Sequence, residues 1–293
     1  RLWLLLGGDR SRRWLGWAVA FLFMPSIFAL SSGQISPFLL LGAVLFLECE
    51  RRSRHSRWWE FAAGAATVLV AVKPHLAYLL WCGIGVDAMV RGRWRVLAGG
   101  ALTGAACAAL PLALNPQVWH QYADAMRNRP PAQWLSPTIG TVLRMAFGAE
   151  YFRLQFVSVA FGLAWFAWHR WQKRADWDCV EQLPLLLLVS FVTAPYGAWP
   201  FDMVLLLPAV FALVLKSQAE WAARPGWSPG SPRFTLAGLA AVNLGCIAMN
   251  LCQTGSFWFI WVAPATLLLH ALRARAGHAT GPAARPAPVP VAA

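Results

Sequence analysis

Long apolar runs separated by short polar stretches dominate the chain, and this pattern predicts a bundle of membrane-crossing helices. Several runs are shorter than the roughly 20 residues that a straight crossing needs. These short runs occur in pairs around Gly33-Gln34, Lys73-Pro74 and residues 195–200, which favours broken or tilted helices. We predict about ten segments, at residues 14–30, 35–47, 61–72, 75–90, 96–114, 151–169, 183–194, 201–215, 235–252 and 256–271.

The composition supports an all-α polytopic membrane protein, because 58% of the 293 residues are hydrophobic and only 13% are charged. Lys and Arg outnumber Asp and Glu by 25 to 12, a balance that also suits nucleic-acid binding. The arginines, however, fall in short clusters between apolar runs, at 10–13, 51–57 and 91–95. Such clusters mark cytoplasmic loops. We therefore expect membrane lipids, and no nucleic acid, as partners.

This orientation places the unusual polar motifs together on the outer face. They are SSGQIS (31–36), KPH (73–75), the loop 115–150, TAPYGAWPFD (193–202) and NLCQTGS (250–256). In the long outer loop, Asn115 can cap a helix over residues 117–128. Val118, Tyr122, Ala125 and Arg129 then share one face, which predicts an amphipathic helix in the outer interface.

Lys73 is the most informative single residue. A lysine at membrane depth costs about 2.5–3.5 kcal/mol, so it tends to occur where it lines a cavity or meets an anion. Pro74 disfavours helix at the preceding residue and predicts a turn between two segments. Lys73 would then lie at the outer face beside His75, where both can hold a phosphate. The alternative is a lysine that reaches the interface and binds ordinary anionic lipid.

Five further residues are candidates for substrate binding, each with a structural alternative. Asp202 can position the lysine or an acceptor hydroxyl, or can be a favourable charge at a helix N-terminus. Gln34 can contact a sugar hydroxyl or satisfy free backbone groups, and Tyr196 can stack on a sugar or anchor the interface. His120 and Arg129 can bind donor or acceptor, or can solvate an interfacial helix.

The remaining features predict little further chemistry. The six cysteines show no metal-ligand spacing, so neither a metal nor another cofactor is expected. We expect one membrane domain over residues 1–276 and a disordered, Ala/Pro-rich tail over 277–293. The apolar run after Arg1 suggests that the membrane domain is N-terminally incomplete.

The order of the motifs resembles the polyprenyl-phosphate-dependent glycosyltransferases of family 87, which include mannosyltransferases. In that family a Gly-Gln pair opens an apolar segment and a Lys-Pro pair follows the next one, as Gly33-Gln34 and Lys73-Pro74 do here. The stretch TAPYGAWPFDMVLLLPAV is similar to a later family motif, with Pro195, Tyr196, Asp202 and Pro208 matching. The likeness runs from about residue 10 to residue 215.

The resemblance implies a C-type glycosyltransferase bundle in the bacterial plasma membrane. It implies inverting transfer of a hexose, mannose in particular, from a polyprenyl-phosphate donor to a lipid or glycan acceptor on the extracytoplasmic face. Such enzymes carry a catalytic aspartate in the first outer loop, so the catalytic base is expected upstream of Arg1. Two alternatives are a transporter or lipid flippase, since broken helices and buried charges also mark substrate pathways, and a non-catalytic relative.

Overall fold

The computed structural model describes residues 1–224 and 226–278, and within these ranges the protein is helical and contains no β-strand. Six short 3₁₀ segments lie at Thr67–Val72, Pro74–Leu76, Pro131–Gln133, Phe152–Phe156, Pro200–Leu206 and Ser256–Trp261. The α-helices are α1 (Leu2–Leu5), α2 (Arg13–Leu22), α3 (Met24–Ser31), α4 (Ser36–Ser53), α5 (Trp58–Ala66), α6 (Tyr78–Val90), α7 (Trp94–Leu114), α8 (Val118–Asn128), α9 (Ile139–Phe147), α10 (Val157–Gln172), α11 (Cys179–Val192), α12 (Leu207–Ala219), α13 (Pro232–Leu251) and α14 (Val262–His278).

The predicted all-α membrane fold is confirmed, and helical structure covers each of the ten predicted apolar segments. Among the described residues, four helices are long and apolar enough to cross a membrane by themselves: Trp94–Leu114, Pro200–Ala219, Pro232–Leu251 and Ser256–Ala276. The bent pair α2–α3 can form a fifth crossing. The total number of crossings stays a prediction. Helix α14 continues through His278, and the rest of the predicted tail, 279–293, lies outside the described residues.

A sharp bend divides the first predicted segment into two helices. Helices α2 and α3 meet at Phe23 with an angle of 64° between them. Asn243 of α13 reaches this break, where its Oδ1 accepts a hydrogen bond from the Met24 amide at 2.7 Å and its Nδ2 donates to the Leu22 carbonyl at 2.9 Å. Two backbone groups that the break leaves without helical partners are thereby satisfied, as a low-dielectric surrounding requires.

Gly33 terminates α3 and sets the direction of α4. Its φ of +59° lies in the left-handed region that glycine adopts readily. The Gly33 amide donates to the Leu30 carbonyl at 3.2 Å, and the Gln34 amide donates to the Ala29 carbonyl at 2.9 Å. These two bonds form a Schellman motif, the usual end of a helix at glycine. The chain then re-enters helix at Ser36, so the Gly-Gln pair lies between two helices.

Helices α11 and α12 form the centre of the bundle. Most residues of both helices are buried, and α11 packs against α6 and α12. Helix α7, in contrast, buries only Val96 and Gly99 among its 21 residues. Its exposed apolar surface is that of a helix facing lipid.

The two most closely packed helices, α5 and α7, meet through glycines. A Cβ atom at Gly64 would lie 1.8 Å from the Val96 carbonyl oxygen, and one at Gly99 would lie 2.1 Å from the Phe61 carbonyl oxygen. Small residues at a membrane-helix interface allow this kind of backbone approach. The contact therefore excludes any side chain larger than hydrogen at both positions.

We expect Gly99→Ala to lower the free energy of unfolding by about 1–3 kcal/mol, because its methyl group would collide with rigid backbone and force the two helices apart. Gly104→Ala on the same helix is a matched control, since no atom lies within 4 Å of a Cβ there. Thermal unfolding of the two variants in detergent, followed by circular dichroism, checks the difference. Equal midpoints for both variants would contradict the close contact.

At the arginine-rich end of the bundle, where the arginines of 51–57 and 91–95 lie, Arg93 connects three helices. Its two Nη atoms each lie 2.8 Å from an oxygen of Glu50 on α4. Its Nε lies 3.3 Å from Oε1 of Glu60 on α5, and its Nη1 lies 3.4 Å from Oδ2 of Asp87 on α6. Arg93 immediately precedes α7, so one guanidinium joins the ends of four helices.

Candidate functional site

The opposite end of the bundle contains an ion pair between two residues that the sequence singled out. The Lys73 Nζ lies 2.5 Å from Oδ1 of Asp202 and 3.4 Å from Oγ of Ser36. Asp202 is fully buried, whereas 20% of the Lys73 side chain is exposed. An ammonium group has three N–H donors, and only two have acceptors among the described residues. The third donor of this partly exposed group therefore remains available to a ligand.

Asp202 is occupied by interactions within the protein. Its Oδ1 accepts hydrogen bonds from both Lys73 and the Ser36 hydroxyl, and its Oδ2 accepts one from the Trp199 amide at 3.2 Å. The carboxylate thus joins the start of α4, the Lys73 turn and the 3₁₀ segment that leads into α12. A carboxylate with this environment positions a lysine, and it has little capacity left to deprotonate an acceptor.

Left-handed backbone before Asp202 brings His75 into the site. Gly197 and Ala198 have φ angles of +72° and +55°. A Cβ at Gly197 would lie 2.7 Å from the His75 Nε2, so a side chain here would displace the imidazole ring. The His75 ring is half-buried and lies 4.7 Å from the ring of Tyr196, centroid to centroid. The two residues therefore form one side of the site next to Lys73.

Aromatic rings lie beside both Lys73 and Tyr196. Phe201 lies under the lysine, with its ring centroid 5.1 Å from Nζ, a distance at which a cation–π attraction operates. Trp134 of the long loop makes an edge contact with Tyr196, with centroids 6.1 Å apart. The loop that follows α8 thus reaches the site through Trp134.

Three helical segments begin around Lys73. They are α4 at Ser36, the 3₁₀ turn at Pro74 that precedes α6, and the 3₁₀ segment at Pro200 that continues into α12. Each helix start carries a partial positive charge and unpaired N–H groups. The first N–H groups of these segments lack partners within the helix, so they offer an anion hydrogen-bond donors beside Lys73.

Three of the predicted binding residues make no side-chain contact with the other four. Among the described residues, no hydrogen bond or ring contact links the side chains of Gln34, His120 or Arg129 to the ion pair or to the His75–Tyr196 pair. Gln34 contributes its amide to the end of α3. His120 is exposed on α8, a helix with no buried residue that packs on the end of α7, and Arg129 is exposed just after it. Substrate binding by these three side chains stays a prediction.

The sequence interpretation missed three residues of the site: Ser36, Trp134 and Phe201. Ser36 ends the SSGQIS motif and directly precedes Pro37, so a position at the start of a helix was readable from the sequence. Phe201 adjoins Asp202 in the chain. No local signal distinguishes Trp134 from the other 17 tryptophans, because its role depends on how the long loop folds back.

The described part of the chain contains no group of three His, Cys, Asp or Glu side chains placed to hold a metal ion. No curated protein and no solved structure gives a significant match to the chain. The sequence profile of glycosyltransferase family 87 matches residues 1–195, about two thirds of the chain, a range that includes Ser36, Lys73, His75 and Trp134 but ends just before Tyr196. The family expectation is thereby confirmed, and the chain belongs to glycosyltransferase family 87, a family of membrane glycosyltransferases.

Proposed function

We propose that the site around Lys73 holds the phosphate group of a polyprenyl-phosphate hexose donor, and that the protein transfers the hexose, mannose in particular, to a lipid or glycan acceptor outside the cytoplasm. The observation that carries this proposal is the Lys73 ammonium, which is fixed by Asp202 and Ser36 and retains a free donor among three helix starts. A phosphate that leaves the sugar gains negative charge, and preorganised donors stabilise that charge.

Each residue of the site takes a separate part in this proposal. Lys73 donates to a phosphate oxygen, and Asp202 and Ser36 hold its ammonium in place. His75 and Tyr196 line the adjacent surface, where the flat Tyr196 ring offers an apolar face to a sugar. The base that deprotonates the acceptor hydroxyl is not assigned to any of these residues, because the one carboxylate in the site already accepts three hydrogen bonds.

The bacterial plasma membrane is the proposed location, with the Lys73 end outside. The arginine clusters at the opposite end support this orientation, since positive residues collect on the cytoplasmic side. A polyprenyl-phosphate donor suits it as well. The donor's lipid lies in the membrane, and the ion pair lies at an end of the bundle where such a head group would be found.

The test is sugar transfer by the full-length protein in membranes, with radiolabelled polyprenyl-phosphate mannose and glucose as donors and nucleotide sugars as comparison. The informative variant is Lys73→Met/Asp202→Asn, which removes both charges and so leaves no unpaired charge in the core. We expect its transfer rate to fall about 10²–10³-fold, the usual effect of removing one donor to a developing anion. Lys173→Met, at an exposed lysine, is the control and should transfer normally.

Two outcomes would contradict the proposal. A double variant that transfers at the wild-type rate would exclude Lys73 from the donor site. Movement of lipid-linked sugar across the membrane by the wild-type protein, without any glycosyl transfer, would instead support the transporter or flippase alternative.

A further inference from the structure

A polar cavity of about 610 Å³ opens at the arginine-rich end, far from Lys73. Helix α4 joins the two sites, with Ser36 at one end and Glu50 to Arg54 at the other, so they lie about 27 Å apart along its 18 residues. The volume of the cavity is typical of a small-molecule site. Its lining comes from the end of α4, the loop before α5, the residues before α7 and the start of α11.

The cavity lining carries both signs of charge, and four of its charged residues have no ion-pair partner among the described residues: Arg51, Arg54, Asp178 and Glu181. Arg51 and Asp178 each make a hydrogen bond with the backbone. Glu50 and Glu60 share the guanidinium of Arg93 in the network described above. Arg54, from the loop after α4, and Glu181, from the first turn of α11, make no hydrogen bond or ion pair with any described side chain. A ligand that satisfies both must itself contain one negative and one positive group.

Two exposed tryptophans locate the cavity at the depth of the lipid head groups. Trp58 begins α5 two residues before Glu60, and Trp94 begins α7 directly after Arg93. Their side chains are 69% and 61% exposed. Exposed tryptophans at the ends of membrane helices lie at the boundary between lipid and water. The charged cavity beside them therefore faces the head-group layer.

The lining also discriminates between kinds of positive group. It contains no Phe, Tyr or Trp, the residues that form cages around quaternary ammonium ions. Its acceptors are carboxylates, those of Glu181 and of Asp178, which also caps α11 through the Val180 amide at 2.8 Å. Carboxylates form charge-assisted hydrogen bonds with a primary ammonium, which has three N–H donors, and none with a choline group.

We infer that this cavity binds the phosphoethanolamine head group of a membrane lipid, with the phosphate at Arg54 and the ammonium at Glu181. Arg51, whose guanidinium also donates to the Leu5 carbonyl, lies beside Arg54 in the lining and adds positive charge for the phosphate. His55 lies next to Arg54 and can donate to the same phosphate. The site is separate from the proposed donor site, and its occupancy does not depend on glycosyl transfer.

The test measures lipid binding to the full-length protein in detergent by native mass spectrometry and by the shift in thermal unfolding. The probes are dioctanoyl phosphatidylethanolamine, phosphatidylcholine and phosphatidylglycerol, which share acyl chains, together with soluble phosphoethanolamine. We expect phosphatidylethanolamine to bind at least tenfold more tightly than phosphatidylcholine or phosphatidylglycerol, a preference of the size that one charge-assisted hydrogen bond supports. Soluble phosphoethanolamine should also bind more weakly, because it lacks the acyl chains.

Two exposed residues allow the site to be altered without disturbing the core. Glu181→Gln should weaken phosphatidylethanolamine binding about tenfold and leave phosphatidylglycerol binding unchanged or stronger, whereas Arg54→Gln should weaken both. The matched controls are Asp176→Asn and Arg57→Gln, at exposed residues nearby in sequence that do not line the cavity. Lys73→Met/Asp202→Asn should bind phosphatidylethanolamine normally.

Each other outcome would overturn the inference. Equal binding of phosphatidylethanolamine and phosphatidylcholine would show that the primary ammonium contributes nothing to the affinity. Tighter binding of phosphatidylglycerol would indicate a simple anion site. Soluble phosphoethanolamine that binds as tightly as the lipid would identify a ligand from solution, and wild-type binding by Glu181→Gln would place the lipid elsewhere.

Discussion

Arg93→Ala is expected to lower the free energy of unfolding by about 3–5 kcal/mol, one of the two largest effects of any single change. The guanidinium is only 16% exposed and is shared by Glu50, Glu60 and Asp87, whose side chains are 9%, 18% and 6% exposed. Without Arg93, the carboxylates of Glu50 and Glu60 lose the cation that compensates them. Thermal unfolding in nanodiscs, which keep a bilayer around the bundle, measures the loss.

The neighbouring Arg95 provides a matched control, because it is exposed and lies two residues further along, in the first turn of α7. Arg95→Ala should change the unfolding midpoint little, as surface charges usually do. Arg93→Lys should fall between the two, since lysine keeps the charge but lacks the fork that binds both oxygens of Glu50. An Arg93→Ala midpoint equal to that of Arg95→Ala would show that the network contributes no stability.

The second large effect concerns the ion pair at the other end of the bundle. Lys73→Met is expected to destabilise the protein by about 3 kcal/mol or more, because it leaves the fully buried Asp202 carboxylate without its cation. Adding Asp202→Asn should restore most of this loss. The amide carries no charge, and its oxygen can still accept from the Trp199 amide or from Ser36. The double variant is therefore expected to be more stable than Lys73→Met alone.

A double-mutant cycle that also includes the single variant Asp202→Asn checks this order of stabilities. The midpoints of wild type, both single variants and the double variant are compared in the same bilayer. If the losses of unfolding free energy in the single variants simply add in the double variant, the two charges are not energetically coupled, although they lie close together. The same cycle shows that the double variant is folded, which the transfer assay requires.

The sequence predicted the helices well because a membrane segment leaves a strong local signal. Twenty apolar residues identify a crossing without reference to any other part of the chain. The bend at Phe23 has a local signal in Pro25, which cannot continue a helix without a kink and lies in the first turn of α3. The hydrogen bonds from Asn243 that satisfy the broken backbone are visible only when α13 is in place.

The candidate site was predictable in part. The distribution of arginines placed Lys73, His75 and Asp202 on one face, and the structure pairs Lys73 with Asp202 and places His75 against Gly197. The arrangement of these side chains could not be predicted from the sequence, because Lys73 and Asp202 are 129 residues apart in the chain. The arrangement also depends on the left-handed backbone at Gly197 and Ala198. The position of the helix after Asn115 relative to the site depends on the same long-range packing.

Asn243 also has a consequence for the order in which the protein is assembled. The amide of Met24 is synthesised 219 residues before the side chain that accepts its hydrogen bond. Until α13 enters the membrane, the amide of Met24 and the carbonyl of Leu22 lack these partners, and hydrocarbon offers no substitute. The two backbone groups at the bend between α2 and α3 therefore gain these partners only late in biogenesis. A ribosome-bound chain that ends before α13 should hold the bend within residues 13–31 less rigidly than the finished protein does.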